Sequence, residues 1–301
     1  MKRSRTGWSK TLLWAGVLAG SFGYALPAPA AAKNVLVVTV TKGFRHSSIP
    51  TAERVLAQLG QKSGAFTVDY ARVDPNDARF KGPNGKPDGA RVEAAIKQVL
   101  AEKMSPAALS NYDAVVFANT TGELPLPDKS AFLNWIKSGK GFVGMHSATD
   151  TLHEFTPYLE MVGGEFLGHG AQVEVEVVNE DAGCPACRHL PPHWKVFEEI
   201  YLFQRFDRSR VHGLLRLDKD PNSGAPGDFP ISWCRNYGKG RVFYTSLGHR
   251  EDIWDAQTPA DYHRNNSVEV AEAYQAHILN GIRWVLGLEE WDVRRRSKAP
   301  K

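Results

Sequence analysis

Residues 34–48 read NVLVVTVTKGFRHSS, and the fold follows from them. The first eight are a continuous, largely β-branched run, the pattern of a strand buried on both faces within a parallel sheet. Residues 42–48 form a loop, and Pro50 opens a helix expected to end at Gly60. The same unit then recurs. Residues 66–71 read as a second strand and 74–87, rich in Pro, Gly, Asp and Lys, as a long surface loop. Residues 91–103 carry Val92, Ile96, Val99 and Leu100 at helical spacing. Residues 113–119 (DAVVFAN) are a third buried strand, and 128–138 a helix with Phe132, Leu133 and Ile136 on one face. Gly139-Lys140-Gly141 ends that helix, and 142–145 is a fourth strand. This alternation predicts an α/β domain whose doubly wound, mostly parallel sheet is flanked by helices.

After Gly170 the rhythm changes. Residues 172–178 (QVEVEVV) alternate strictly, as in a strand with one wet face. Strands are expected at 200–203, 211–217, 231–235 and 241–246, the last two joined by a Tyr237-Gly238-Lys239-Gly240 turn. The C-terminal half therefore adds antiparallel strands. A closing helix at 268–286 has Ala271, Tyr274, Ile278, Ile282 and Val285 as its apolar stripe. No internal repeat and no linker divides residues 33–290, which we take as one domain.

The ends carry different signals. Residues 2–10 are basic and polar, 12–26 are apolar without a charge, and PAPAAAKN follows. That order describes a secretory signal peptide over residues 1–32, cleaved after Ala32 or Ala30. Its apolar run is shorter than the roughly 20 residues of a membrane span, so no stable membrane insertion is expected. The mature protein is then periplasmic or secreted. The chain holds 37 Lys+Arg against 33 Asp+Glu, and removing the four leader cations (Lys2, Arg3, Arg5, Lys10) leaves 33 of each. A neutral mature chain argues against nucleic-acid binding driven by charge. Residues 291–301, with Arg294-Arg295-Arg296, Lys298 and Lys301, form a basic tail.

Cys184-Pro-Ala-Cys187 reads as a small disulfide suited to an oxidising compartment, as two free thiols, or as part of a metal or redox motif with His189 and His193 nearby. Cys234 lies in an apolar strand and reads as packing.

In an open α/β sheet, ligands bind beyond the carboxyl ends of the strands. Three strand ends lead to a histidine within a few residues: His46, His146 and His249. A fourth, His169, follows in the Gly-rich stretch GGEFLGHG (163–170). One such histidine is usually structural; four at one edge, with Asp150 and Glu199, offer either the ligands of a divalent ion or a general acid–base set. Their spacing fits no local zinc motif, so a metal would be assembled from distant loops. Gly144-Met145-His146-Ser147-Ala148 resembles a nucleophile elbow with His146 at the apex, and a Ser147/His249/Asp252 triad reading is weak. No G-x-G-x-x-G or Walker loop follows the first strand, which excludes a nucleotide cofactor of those kinds. Glu198-Glu199 before a strand is usually a solvated edge. Trp233, Tyr237, Trp254 and Tyr262 near the later loops suit sugar rings or plain core packing.

Together KGFRHSS (42–48), LSNYDAVVFANTTGE (109–123), GKGFVGMHSATDT (139–151), GGEFLGHG (163–170), EEIYLF (198–203) and GKGRVFYTSLGH (238–249) are recognisable. The chain resembles the ThuA-like family, named for trehalose utilisation, which shares the fold of class I glutamine amidotransferases. The resemblance spans residues 34–288. It implies that fold, and a link to sugar catabolism; some members resemble metal-dependent enzymes acting on keto-sugar glycosides. Amidotransferase chemistry is not implied, because His146 stands where the amidotransferase Cys would be. The family's recurrent polar positions fall on His46, His146, Asp150, His169, Glu199 and His249. The stretch before RHLPPHW departs from a usual His-Pro-Ala-Thr, and Cys-Pro-Ala-Cys there favours an added disulfide between Cys184 and Cys187. The expectation is therefore an exported, metal-assisted (Zn or Mn) hydrolase or lyase acting on a small keto-glycoside. A non-catalytic sugar-binding protein is the alternative. His146, His249 and His169 are the expected ligands, and Glu199, Asp150 and His46 the catalytic groups. Arg45, Ser47, Ser147 and Arg250 are the expected substrate contacts.

Overall fold

The structure, a computed structural model, describes residue 7 and residues 31–258 and 261–294. The expected leader and the tail beyond Arg294 lie outside the described residues, except for Gly7, Ala31 and Ala32. The parallel half opens with β1 (Lys33–Val38), α1 (Ile49–Ser63), β2 (Phe66–Ala71), α2 (Gly89–Met104) and a one-turn α3 (Pro106–Leu109). It continues through β3 (Ala114–Ala118), α4 (Lys129–Lys137), β4 (Gly141–Met145) and α5 (Thr156–Val162). The second half adds β5 (Glu165–His169), β6 (Val173–Asn179), β7 (His193–Glu198), β8 (Tyr201–Gln204), β9 (His212–Lys219), β10 (Pro226–Tyr237) and β11 (Gly240–Thr245). A short α6 (Glu251–Trp254) and the long α7 (Val268–Val285) close the chain.

The main sheet has nine strands in the order β2-β1-β3-β4-β11-β10-β9-β6-β7. The first five are mutually parallel, and the last four are added antiparallel. β5 and β8 pair separately as an antiparallel ribbon. The doubly wound expectation holds, and its physical basis is visible in the strands. Val35 and Val37 of β1 face one core with α1 and α7; Leu36 and Val38 face the other with α2 and α4. Val116 and Val115/Phe117 of β3 divide the same way. Each such side chain contributes roughly 1.5–3 kcal/mol on burial, so the central strand ends are held on both faces.

Several boundaries differ from expectation. α1 runs through Gly60 and stops at Gly64, which adopts a left-handed φ of 64°. Gly60 serves packing instead: a Cβ there would lie 2.5 Å from the Phe66 carbonyl oxygen. β5 and β7 were not expected as strands. Among the described residues, no helix is long and apolar enough to cross a membrane.

The cysteines correct the disulfide expectation. Cys184, Cys187 and Cys234 are all free and buried. Cys184 and Cys187 bracket a tight turn closed by the Cys187 N–H on the Cys184 carbonyl (2.9 Å), and the Cys187 thiol meets the Leu214 carbonyl (3.9 Å). Burial, and then the neighbouring Cys184 thiol, push the Cys187 thiol well up, which keeps it protonated. His189 bonds the Ala273 carbonyl and His193 pairs with Glu176, so neither faces these thiols.

Candidate metal centre

β1, β3, β4 and β11 are neighbours, so their carboxyl ends deliver four loops to one edge. His46 follows β1, Asn119 follows β3, His146 follows β4 and His249 follows β11. His146 and Asn119 both have left-handed backbones, with φ of 48° and 57°. Such strain persists only where surrounding contacts over-determine it, and here they do. The turn at His146–Asp150 is pinned by three hydroxyl groups. Tyr244 donates to the His146 carbonyl (2.7 Å), Thr151 to that of Ser147 (3.2 Å) and Tyr158 to that of Ala148 (2.7 Å). Gly144 makes room for this, since a Cβ there would lie 2.9 Å from the Tyr244 ring.

The loop bearing His249 is pinned as firmly. The Gly248 carbonyl accepts from Ser48 Oγ (3.1 Å), Asn119 Nδ2 (2.9 Å) and Trp254 Nε1 (2.8 Å). The fully buried Glu198 carboxylate accepts the N–H groups of Glu199, His249 and Arg250 at 2.9–3.2 Å. Burial raises Glu198 to about 7, against the pull of His249 and those three N–H bonds. Glu198-Glu199 is thus no solvated edge.

At the centre, the His146 Nδ1–H donates to the Ser246 carbonyl (2.8 Å), which fixes the tautomer and leaves Nε2 bare. That atom lies 3.1 Å from His46 Nε2, 3.3 Å from His249 Nδ1 and 3.8 Å from Glu199 Oε1. His249 Nδ1 lies 3.2 Å from the same Glu199 oxygen. The four donor atoms all fall within 4.8 Å of one another. The lone pairs of His146 and Glu199 face each other, an arrangement that a shared cation satisfies. A tetrahedral zinc ion, with bonds of about 2.0–2.1 Å, holds its ligand atoms about 3.3–3.4 Å apart, close to the shorter contacts here.

Electrostatics keep two of the rings neutral. Burial lowers His146 far below its ordinary value, with His46 and His249 adding repulsion. Burial and then His249 lower His46 to about 4. His249 moves upward: burial works against its charged form, but the bond to Glu199 and the charges of Glu198 and Glu199 outweigh it. A neutral imidazole is the form that ligates a metal.

Other expected residues fall elsewhere. His169 is outside the four-donor group; its ring reaches the other Glu199 oxygen, Oε2, at 3.2 Å, and it is 41% exposed. Asp150 faces away and bonds His153 Nε2 (2.8 Å), while His153 Nδ1 bonds Glu165 (2.9 Å) and Arg205 Nε bonds Glu165 (2.7 Å). Sequence reasoning missed His153, Glu165 and Arg205, although Asp150-x-x-His153 spacing was there to see. Arg45 contacts the Thr39 carbonyl (3.4 Å), and Arg250 is committed to Asp252, Gln172 and the His263 carbonyl. Ser147 Oγ lies 3.4 Å from His46 Nδ1, and Ser47 is exposed. The Ser147/His249/Asp252 triad does not assemble, because Asp252 is held by Arg250, Asn265 and Asn266. Trp233 and Trp254 are fully buried, and Tyr237 and Tyr262 lie against arginines, so these four are not a sugar platform.

A model of one protein family, ThuA, described as trehalose utilisation, matches residues 34–285. Two solved structures share the fold. A ThuA-like protein from Parabacteroides merdae is 18% identical, with 88% of this chain and 93% of that one covered and a TM-score of 0.59. A ThuA-like protein from Bacteroides uniformis is also 18% identical, with 87% and 95% covered and a TM-score of 0.58. A search of curated proteins finds no match.

Proposed function

The chain belongs to the ThuA family, and from that premise we propose that it is an exported, metal-assisted hydrolase or lyase acting on a small keto-glycoside. One observation carries the reading: His46, His146, His249 and Glu199 place four donor atoms within 4.8 Å, and the Ser246 carbonyl leaves His146 Nε2 bare. Imidazole and carboxylate donors suit Zn or Mn. Bound there, such an ion would polarise a substrate carbonyl or its vicinal hydroxyl groups.

The assignment shifts four residues from the sequence expectation. Glu199 and His46 become ligands. His169 takes the proton-transfer role: its Nδ1 faces Glu199 Oε2 and the Gly170 carbonyl (2.8 Å), and the ring is 41% exposed. A carboxylate behind an imidazole orients the ring. Asp150, committed to His153, takes no part.

The test is metal content by mass spectrometry on the reconstituted mature protein, wild type beside His146→Ala, with turnover of a panel of keto-glycosides. We expect near one ion per chain and glycoside cleavage, both lost in the variant. No ion in either protein after reconstitution overturns the metal assignment. An ion with no turnover of any keto-glycoside overturns the enzyme reading in favour of a sugar-binding protein.

A further inference from the structure

A cavity of about 230 Å³ lies between α5 and the loop joining β8 to β9. That is several times the roughly 30 Å³ share of a liquid water. Three guanidinium groups line it, those of Arg205, Arg210 and Arg235, with Leu159 and Gly163 as an apolar wall. Three carboxylates stand near them, and only one makes a close ion pair. Glu165 takes Arg205 at 2.7 Å, and Asp207 accepts from Ser209 N and Oγ within its own turn. Glu160 gives Arg235 a backbone carbonyl at 2.7 Å, and its side chain makes no ion pair with Arg235. Among the described residues no carboxylate lies within ion-pair distance of Arg210 or Arg235, though the charges of Asp207 and Glu160 act on them from farther off, and the Arg235 Nε is buried with no hydrogen-bond acceptor.

Two further facts point the same way. Arg205 holds a left-handed φ of 54°, a strained state for a bulky side chain. Burial and then the charge of Arg210 lower Arg235, outweighing the opposite pull of Tyr237 and Glu160, so the two cations repel one another across the cavity. An unpaired buried donor and two like charges facing one space describe a site built for negative charge, and the planar guanidinium fork matches carboxylate and phosphate oxygens two at a time.

We infer that this cavity binds a small molecule carrying a carboxylate or phosphate group, at a site separate from the four-donor cluster of His46, His146, His249 and Glu199. The site does not depend on the metal assignment, and its test is arranged to keep the two apart.

Binding of inorganic phosphate and of glucuronate would be measured by calorimetry and thermal shift on the full mature chain. The experiment runs in chelator and on the His146→Ala background, at ionic strength matched with sodium chloride. We expect saturable binding of at least one probe, weakened tenfold or more by Arg210→Gln and by Arg235→Gln. Phosphate alone would identify an oxyanion site, and glucuronate alone a site for a sugar acid; either supports the inference. Arg210 is exposed, so its variant keeps the test decisive should Arg235→Gln fail to fold. Neither probe binding, a response equal to that of chloride, or unchanged affinity in Arg210→Gln overturns it.

Discussion

Around Glu199, three imidazoles and one carboxylate converge with no cationic side chain among them, whereas around His153 acid and base alternate: Asp150, His153, Glu165, Arg205. Both clusters are built on imidazole and carboxylate, both lie beside the turn at His146–Asp150, and they differ in proton supply. In the second, each carboxylate oxygen in contact faces an N–H, and the two charges of each sign close on themselves. In the first, the one fixed proton of His146 is spent on Ser246, and the bare nitrogen points at other ring nitrogens and at a carboxylate oxygen. What separates a ligand set from a strut is therefore donor balance, not composition.

The strongest way to break this comparison is to add a cation. Zn or Mn given to chelator-treated protein at 100 times its dissociation constant stabilises the folded state by about 2.7 kcal/mol, or roughly 5–10 °C in a domain of this size. Differential scanning calorimetry should show that rise in wild type and in Glu165→Ala, and its loss in His146→Ala. A rise that survives His146→Ala would place the ion elsewhere and remove the distinction between the clusters. A smaller effect belongs to the strut. Glu165→Ala strips His153 and Arg205 of their shared partner. Because Arg205 is 61% exposed and His153 34%, solvent screening limits the loss to about 1–2 kcal/mol. Urea denaturation would measure it, with metal content unchanged; a fall in metal content would mean that the two clusters are one site.

The sequence carried some of this plainly. The parallel strands were legible because burial on both faces leaves uninterrupted apolar runs, as in 34–41 and 113–119. His46, His146 and His249 were legible because strand ends in such a sheet share one edge. β7 (HWKVFE) alternates as a strand should, with Trp194 and Val196 buried, but the preceding Pro191-Pro192 draws the reading toward a loop. Glu198 was hidden for a different reason, and Glu199 was named as a catalytic group although the pair read as a solvated edge. Two adjacent carboxylates look solvated until the β7–β8 connection is seen folding over the edge, where backbone N–H groups replace water. Asp150 and His169 were grouped with the centre because position along the chain specifies an edge. Which oxygen of Glu199 a ring reaches is set by tertiary packing, and the β5–β8 ribbon that carries His169 has no helical or parallel signature to announce it.

The smallest expected effect is a pH dependence confined to the strut. His153 is raised: burial opposes its charge, but the bonds to Glu165 and Asp150 outweigh that. Its contribution is fully present below the unfolded value near 6.5 and is lost as pH rises through the folded value. Glu165 is lowered: burial raises it, but His153 and Arg205 outweigh burial. Its contribution is present above its ordinary value of 4.5 and is lost as pH falls through the folded value. The stabilisation is therefore greatest between about pH 4.5 and 6.5 and declines on both sides. With screening, the His153 share is about 0.5 kcal/mol. The difference in urea midpoint between wild type and His153→Gln, followed in chelator from pH 4 to 9, should peak inside that window and shrink on the alkaline side. A difference that stays flat from pH 5 to 9 would mean that His153 is held neutral, and the alternation of charge that sets this cluster apart from the four-donor cluster would be gone.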